Sequence, residues 1–389
     1  METLNLCIVN LDFIPFRNSG LAIYGEKLSK GLSKMHEVTV ITSQPLESMK
    51  EEYIDNIRVI RIPLPMFDRT KWVSFGYKVG GLIEDIDKKE KFDLIHFLDV
   101  HFGYFCNKSF VGTLNQSFNQ RLRSDGGIPY HHSFLNLVER YVYYSMAKIL
   151  EKKALNKATK LVSISNATKK EFVESYGVNP SKIEVIYNGI DTNFFQPKNS
   201  DRLREKLGIK SDQKVLLYVG FTTPRKGVEY LASALKNIDR DFKLIMVGKW
   251  EKGYREKFYK QVGKNKNKII EVGYVNDEDM PYYYSLADIF ILPSLLEGFG
   301  YPLVEALSCE TPVVATRVGA VPEVIGDYGF LIPPRDASAV ANAINALLAD
   351  DDLRQKFGKQ GRKRVKRYFN EESMISNTEE FYKNILNNL

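Results

Sequence analysis

The sequence is poor in the residues that build metal centres and disulfide scaffolds, with three Cys and five His among 389 residues. Cys7, Cys106 and Cys309 are scattered and odd in number, which argues against a disulfide framework and fits a reduced compartment. They also lack metal-ligand spacing, and no His-Cys cluster accompanies them. No stretch approaches the roughly 18 apolar residues that a spanning helix needs. The opening METLNLCIVNLDFIPF has no basic n-region, and Asp12 interrupts its apolar run, so no secretory signal is expected. Low-complexity tracts and short solenoid repeats are missing too. What is present is an ordinary globular composition, 44% hydrophobic and 26% charged. The length exceeds the roughly 250–300 residues at which a single core stops growing, so two domains are expected.

The net charge is +7, and its distribution is uneven. Residues 101–170 hold eleven Lys and Arg against three Asp and Glu, a surplus of eight, which leaves the rest of the chain at −1. Such a surplus suits an anionic substrate, an anionic membrane surface, nucleic acid, or simply a solvated face. No nucleic-acid recognition motif accompanies it, so no nucleic acid is expected as a partner. The basic residues concentrate over residues 118–160, interleaved with Tyr130, Phe134, Tyr141, Tyr143 and Tyr144. That pattern suits either a peripheral contact with an anionic membrane or a core-packed helix with a basic outer face.

Short apolar runs alternate with helical patterns along the chain. Leu4 to Val9, Val38 to Ile41, Ile57 to Ile62, Phe92 to Phe97, Leu161 to Ile164 and Ile183 to Ile186 read as strands. Helical patterns lie over Tyr24 to Ser33, Val73 to Asp87 and Leu135 to Lys160. A second series follows, with strands at Val215 to Val219, Lys243 to Val247, Ile269 to Val272, Ile289 to Leu292 and Val313 to Thr316. The alternation predicts two tandem α/β domains, each a doubly wound parallel sheet with helices on both faces. The expected division is 1–192, a polar linker over 193–206, and 207–370, with the tail helix 371–389 packing back on the first domain.

The stretch PSLLEGFGYPLVE, Pro293 to Glu305, joins an apolar strand to a helix start. Pro302 suits the first helical position, where its missing N–H costs nothing. Gly298 and Gly300 allow a ligand to approach the backbone closely. The free N–H groups at the helix start favour an anion. Glu297 and Glu305 flank this loop, and Glu305 lies about one turn into the helix. Phosphate on the loop, with a hydroxyl-rich group held by each glutamate, is the simplest use of the arrangement.

With these residues, the chain resembles the retaining glycosyltransferases of family 4, whose signature is two glutamates separated by seven residues, here Glu297 and Glu305. The likeness continues through Ala287 to Ser294, Thr311 to Thr316, Val318 to Val324 and Val185 to Asp191. It implies the GT-B fold, two Rossmann-like domains facing a central cleft. It also implies a nucleotide-diphosphate sugar donor held by the second domain. By resemblance, Glu305 would accept hydrogen bonds from the ribose hydroxyls, and Glu297 would hold hydroxyls of the donor sugar. The Gly298-Phe299-Gly300 backbone would face the diphosphate, and Val275 would lie beside the base. Arg225 and Lys226 resemble the family's diphosphate clamp, whose fixed cations stabilise charge growing on the leaving group. Gly20, in the first loop, would pass a phosphate. No metal and no other cofactor is implied. The mechanism implied is front-face displacement with retention, Glu297 as a covalent nucleophile being the older alternative.

The first domain departs from the family pattern. One glycine, Gly20, stands in Asn18-Ser19-Gly20 where two are usual. The family's His-x-His-Asp is His96-Phe97-Leu98-Asp99, its Thr-x-His is Thr113-Leu114-Asn115, and Phe221 stands where an Arg is usual after Gly220. His101, or the His131-His132 pair, is a candidate for the missing imidazole. The expected activity is transfer of a hexose to a hydroxyl acceptor, a sugar or lipid-linked group, in polysaccharide, cell-envelope or glycolipid synthesis. The expected location is cytoplasmic, at the inner face of the cell membrane. A nucleotide-sugar-binding partner protein with weak catalysis is the alternative that the lost histidines motivate.

Overall fold

The computed structural model describes residues 3–15, 19–44, 49–64, 71–123 and 134–387. The chain divides into two compact units: residues 1–122, 141–189 and 371–389 form the first, and 123–140 with 190–370 the second. Residues 193–206, expected as a linker, belong to the second unit. They include a short helix, Asp201–Lys206. The polar composition concealed two anchors: Phe195 is buried, and Arg362 donates to the carbonyls of Thr192 and Phe195.

The first unit carries an eight-stranded sheet. Its strands are β1 (Asn5–Val9), β2 (Glu37–Gln44), β3 (Lys50–Ile54), β4 (Ile57–Pro63), β5 (Leu94–Phe97), β6 (Val111–Leu114), β7 (Lys160–Ser163) and β8 (Ile183–Val185). Their spatial order is β3-β4-β2-β1-β5-β6-β7-β8, and every pairing is parallel except β3 with β4. Residues 6–9 of β1 and all of β5 are buried, as the near-continuous apolar runs of a sheet covered on both faces require. The tail helix Glu371–Leu386 belongs to this unit. Lys27 pairs with Glu371, and Gly31 leaves room for Ile375 where a Cβ would collide.

Tyr382 on that helix reaches the sheet. His96 of β5 is fully buried, with Nδ1 2.6 Å from the Tyr382 hydroxyl and Nε2 2.8 Å from Thr113 Oγ1. Burial pushes the imidazole down to about 3 from its ordinary 6.5. The folded state therefore holds His96 neutral, while the unfolded chain takes up a proton below about 6.5. The stability this neutrality contributes is complete above that value and lost as pH falls towards 3. His96→Asn, which cannot titrate, is expected to lack that loss. Urea unfolding of the first unit should show the wild-type advantage shrinking by about 1.4 kcal/mol per pH unit between pH 6 and 4. A difference that stays constant with pH contradicts the assignment.

The second unit carries six parallel strands: β9 (Lys214–Val219), β10 (Phe242–Val247), β11 (Ile269–Gly273), β12 (Ile289–Leu292), β13 (Val313–Thr316) and β14 (Gly329–Ile332). Their order is β11-β10-β9-β12-β13-β14. Renumbered from β9, this is the 3-2-1-4-5-6 order of a Rossmann sheet, whose direction of winding reverses between β9 and β12. The core on one side joins Leu216, Leu231, Leu244, Phe258 and Ile344. Ligands of such sheets bind outside the carboxyl ends of the strands at the reversal. Here those ends lead into Gly220–Gly227 and Pro293–Gly300.

Candidate active site

After β9 the chain turns through the short 3-10 helix Pro224–Lys226 and ends it at Gly227, whose φ is +62°. A Cβ at Gly227 would overlap the carbonyl oxygen of Pro293, so only glycine lets this turn lie against the loop after β12. The contact is then sewn by hydrogen bonds. Leu295 N donates to Arg225 O at 2.8 Å, and Arg225 Nη1 donates to Leu296 O at 2.9 Å. Two segments about 70 residues apart in sequence thus form one wall.

That wall brings Lys226 and Glu297 together. Lys226 Nζ lies 2.6 Å from Glu297 Oε2, and Ser294 Oγ donates to the same oxygen at 3.3 Å. Both side chains are about nine-tenths removed from solvent. Burial pushes the Glu297 carboxyl up, but the positive charges of Lys226 and Arg225 together outweigh it and hold the group below its ordinary range. Burial pulls the Lys226 ammonium down, against the opposing pull of Glu297. A buried pair of this kind is a weak source of stability, because desolvating two ions offsets much of their attraction. It is well suited to meeting a ligand that carries both anionic and hydroxyl groups.

The loop leading on from Glu297 is fixed from three directions. Gly300 takes a left-handed φ of +89° and hands the chain to the helix Tyr301–Ser308, with Pro302 in its first turn. Gly298 is half-buried between Glu297 and Phe299. The Phe299 ring is buried against Tyr301 and Phe369, at centroid distances of 5.5 and 5.7 Å, so its main chain is the part available to a ligand. Behind the loop, Gly319 has φ +51°, and a Cβ there would overlap the Glu297 carbonyl oxygen. Thr316 Oγ1 also donates to the Ser294 carbonyl.

Glu305, half-buried on the helix Tyr301–Ser308, accepts a 2.6 Å hydrogen bond on Oε2 from the hydroxyl of the buried Tyr284. Val275 is buried two residues beyond Gly273, itself at φ +75°, and Tyr274 between them is exposed. Sequence reasoning gave no role to Tyr284, Ser294 or Thr316. Ser294 and Thr316 stood within recognisable motifs, but only the fold shows that they aim at the Glu297 loop. Tyr284 offered a single signal: a buried tyrosine needs a partner for its hydroxyl.

Comparison with known proteins agrees with this geometry over both units. The model described as Glycosyltransferase Family 4 matches residues 18–194, and that described as Glycosyl transferases group 1 matches residues 199–364. The capsular polysaccharide biosynthesis glycosyltransferase CapM of Staphylococcus aureus is 31% identical over 65% of this chain and 68% of its own length. The chain belongs to glycosyltransferase family 4. Along nearly its whole length it is also 25% identical to the N-acetyl-alpha-D-glucosaminyl L-malate synthase of Bacillus anthracis, covering 94% of each chain. Among solved structures, the sucrose-phosphate synthase of Thermosynechococcus elongatus superposes with a TM-score of 0.82 at 24% identity, over 99% of this chain and 100% of that one. The fold is accordingly GT-B.

In this family-4 chain the first-unit candidates fall in different surroundings. Gly20 is exposed at the start of the helix Gly20–Leu32, where Ser19 caps by accepting from Ala22 N at 3.2 Å. His101 is buried, with Nδ1 2.7 Å from Asp99 Oδ1 and its ring against Phe102 and Phe118. His96 is held within the sheet, as described above, and Leu98 beside it is fully buried. Asn115 Nδ2 donates to the Leu98 carbonyl at 2.7 Å. Asn18, Tyr130, His131 and His132 lie outside the described residues. Among the described residues, no helix is long and apolar enough to cross a membrane.

Proposed function

We propose that this family-4 glycosyltransferase moves a hexose, with retention, from a nucleotide-diphosphate sugar to a hydroxyl of a sugar or lipid-linked acceptor, in polysaccharide, cell-envelope or glycolipid synthesis. The observation that carries the reading is the buried Lys226–Glu297 pair at the reversal of the second sheet, with Glu305 about one turn into the helix that follows the loop. In this reading Glu305, already oriented by Tyr284, accepts from the ribose hydroxyls. Glu297, shared with Lys226, accepts from hydroxyls of the donor sugar. Arg225 and Lys226 take the charge that develops on the diphosphate, and because they are fixed they need no reorganisation at the moment of reaction. These cations carry the leaving-group chemistry, so the proposal requires no metal.

The chemical step is front-face displacement. The bond from the anomeric carbon to the diphosphate oxygen breaks, and the acceptor oxygen bonds to that carbon from the same face. The acceptor proton passes to the departing diphosphate oxygen, and nucleoside diphosphate leaves. The name of the Bacillus anthracis relative states an α-D-glucosaminyl product, which from an α-linked nucleotide-sugar donor would be the retained configuration. A second reading, a nucleotide-sugar-binding partner with weak catalysis, draws on His96, Leu98 and Asn115. The first two are buried and the third is bonded to a carbonyl, so none of these positions offers a free imidazole.

One experiment separates the two. The full chain is incubated with a panel of nucleotide sugars and saccharide or glycolipid acceptors, in parallel with and without EDTA. Release of nucleoside diphosphate, with an anomeric configuration in the product matching that of the donor, is the expected result. Donor binding without release under any acceptor favours the second reading, and activity abolished by EDTA refutes the metal-independent step.

A further inference from the structure

The helix Phe134–Lys157 enters the first unit at Tyr141. Its inner side buries Ala147, Glu151, Ala154 and Leu155, and Tyr143, Tyr144 and Leu150 pack against the same core. Its outer side is unusual for a helix already anchored in this way. Tyr141, Val142, Met146 and Ile149 are each more than half exposed. At 3.6 residues per turn they fall on one face over just more than two turns, about 12 Å long. Exposed Lys152 and Lys153 continue that face on the next turn. Single exposed apolar residues are ordinary, whereas a contiguous strip marks a surface that meets something.

The charge around the strip states what it meets. From residue 141 to 157 the helix carries Lys148, Lys152, Lys153 and Lys157. Its one acidic residue there, Glu151, faces inward and accepts hydrogen bonds from Phe118 N and the Tyr176 hydroxyl. The helix therefore shows no carboxylate on its outer side over this length. A second copy packed helix to helix on this face would bring no carboxylate of that stretch of helix opposite its lysines.

We propose that the outer face of residues 141–153 docks this protein on an anionic phospholipid surface. Tyr141, Val142, Met146 and Ile149 enter the boundary between headgroups and acyl chains. Lys152 and Lys153 extend along the surface to the lipid phosphates, their stems on the apolar side. This docking rests on no step of hexosyl transfer, so its failure leaves the nucleotide-release experiment untouched.

Flotation of the full chain with vesicles tests it. The protein is expected to float with vesicles of phosphatidylcholine and phosphatidylglycerol at low salt, and to stay behind with phosphatidylcholine alone. High salt should release it. Lys152→Glu with Lys153→Glu should lower the partition coefficient about 25-fold or more, from about fivefold per lysine. Met146→Ser with Ile149→Ser should lower it at least about tenfold. Both variants should keep the wild-type melting temperature and donor turnover. The proposal is overturned by absence of flotation with the anionic vesicles, or by flotation that neither variant changes. It is equally overturned by a wild-type dimer that Met146→Ser with Ile149→Ser converts to monomer, since the face would then belong to a second copy.

Discussion

Replacing Lys226 by Met should lower kcat by about 10²–10³-fold while the protein stays folded. Two losses combine in that figure. The leaving diphosphate loses a fixed cation in a site from which water is largely excluded, where a charge is worth far more than in bulk solvent. Glu297 loses the partner 2.6 Å away and retains Arg225 and Ser294 against the burial that pushes its carboxyl up. Lys226→Arg keeps the charge but not the point-like ammonium, and should recover part of the loss. Steady-state turnover with a saturating donor reads both variants. A Lys226→Met enzyme within about twofold of wild type would remove the cation from the mechanism.

Gly319→Ala should cost about 100-fold in turnover, although residue 319 carries no side chain that could touch a ligand. Alanine at φ +51° is strained by roughly 1–2 kcal/mol, and its Cβ would overlap the Glu297 carbonyl oxygen. The Glu297 loop must then move, and a displacement of about 1 Å at a positioning group is enough for a loss of that size. Gly208 supplies the control. It has φ +64° with open space around it, so Gly208→Ala imposes similar strain without the collision. Gly208→Ala should lower the melting temperature and keep kcat, whereas Gly319→Ala should lower both. Equal kcat in the two variants would show that the close approach of residue 319 to Glu297 does not position the site.

Much of the fold was legible because parallel strands buried on both faces read as uninterrupted apolar runs, as in VLLYV and IFIL. The elements that escaped notice lack that contrast. Strand β6 is four residues with a glycine among them, and β14 begins with one. Strand β3, KEEYI, is charged because it is an exposed antiparallel edge. The helix Asn166–Tyr176 buries only Thr168 and Phe172, too few to mark a face. In the second unit, the residue types of the candidate site could be read from the signature loop and the Arg225-Lys226 turn. Their joining could not, since Gly227 and Gly319 act through a backbone approach that no spacing reveals. In the first unit, His96 matched the family motif by position, yet its imidazole is occupied by Thr113 of the neighbouring strand β6 and by Tyr382 of the tail helix.

The proposed donor site is tested most directly by calorimetric titration of the full chain with nucleotide-diphosphate sugars and their parent nucleoside diphosphates, in wild type, Glu305→Ala and Glu297→Ala. At least one nucleotide sugar should bind the wild type. Glu305→Ala should weaken both the sugar nucleotide and its nucleoside diphosphate by about 10- to 150-fold, the worth of hydrogen bonds to a charged acceptor. Glu297→Ala should weaken the sugar nucleotide more than the diphosphate. Absence of binding by every nucleotide sugar, or wild-type affinity in Glu305→Ala, would contradict a donor site built around Lys226, Glu297 and Glu305.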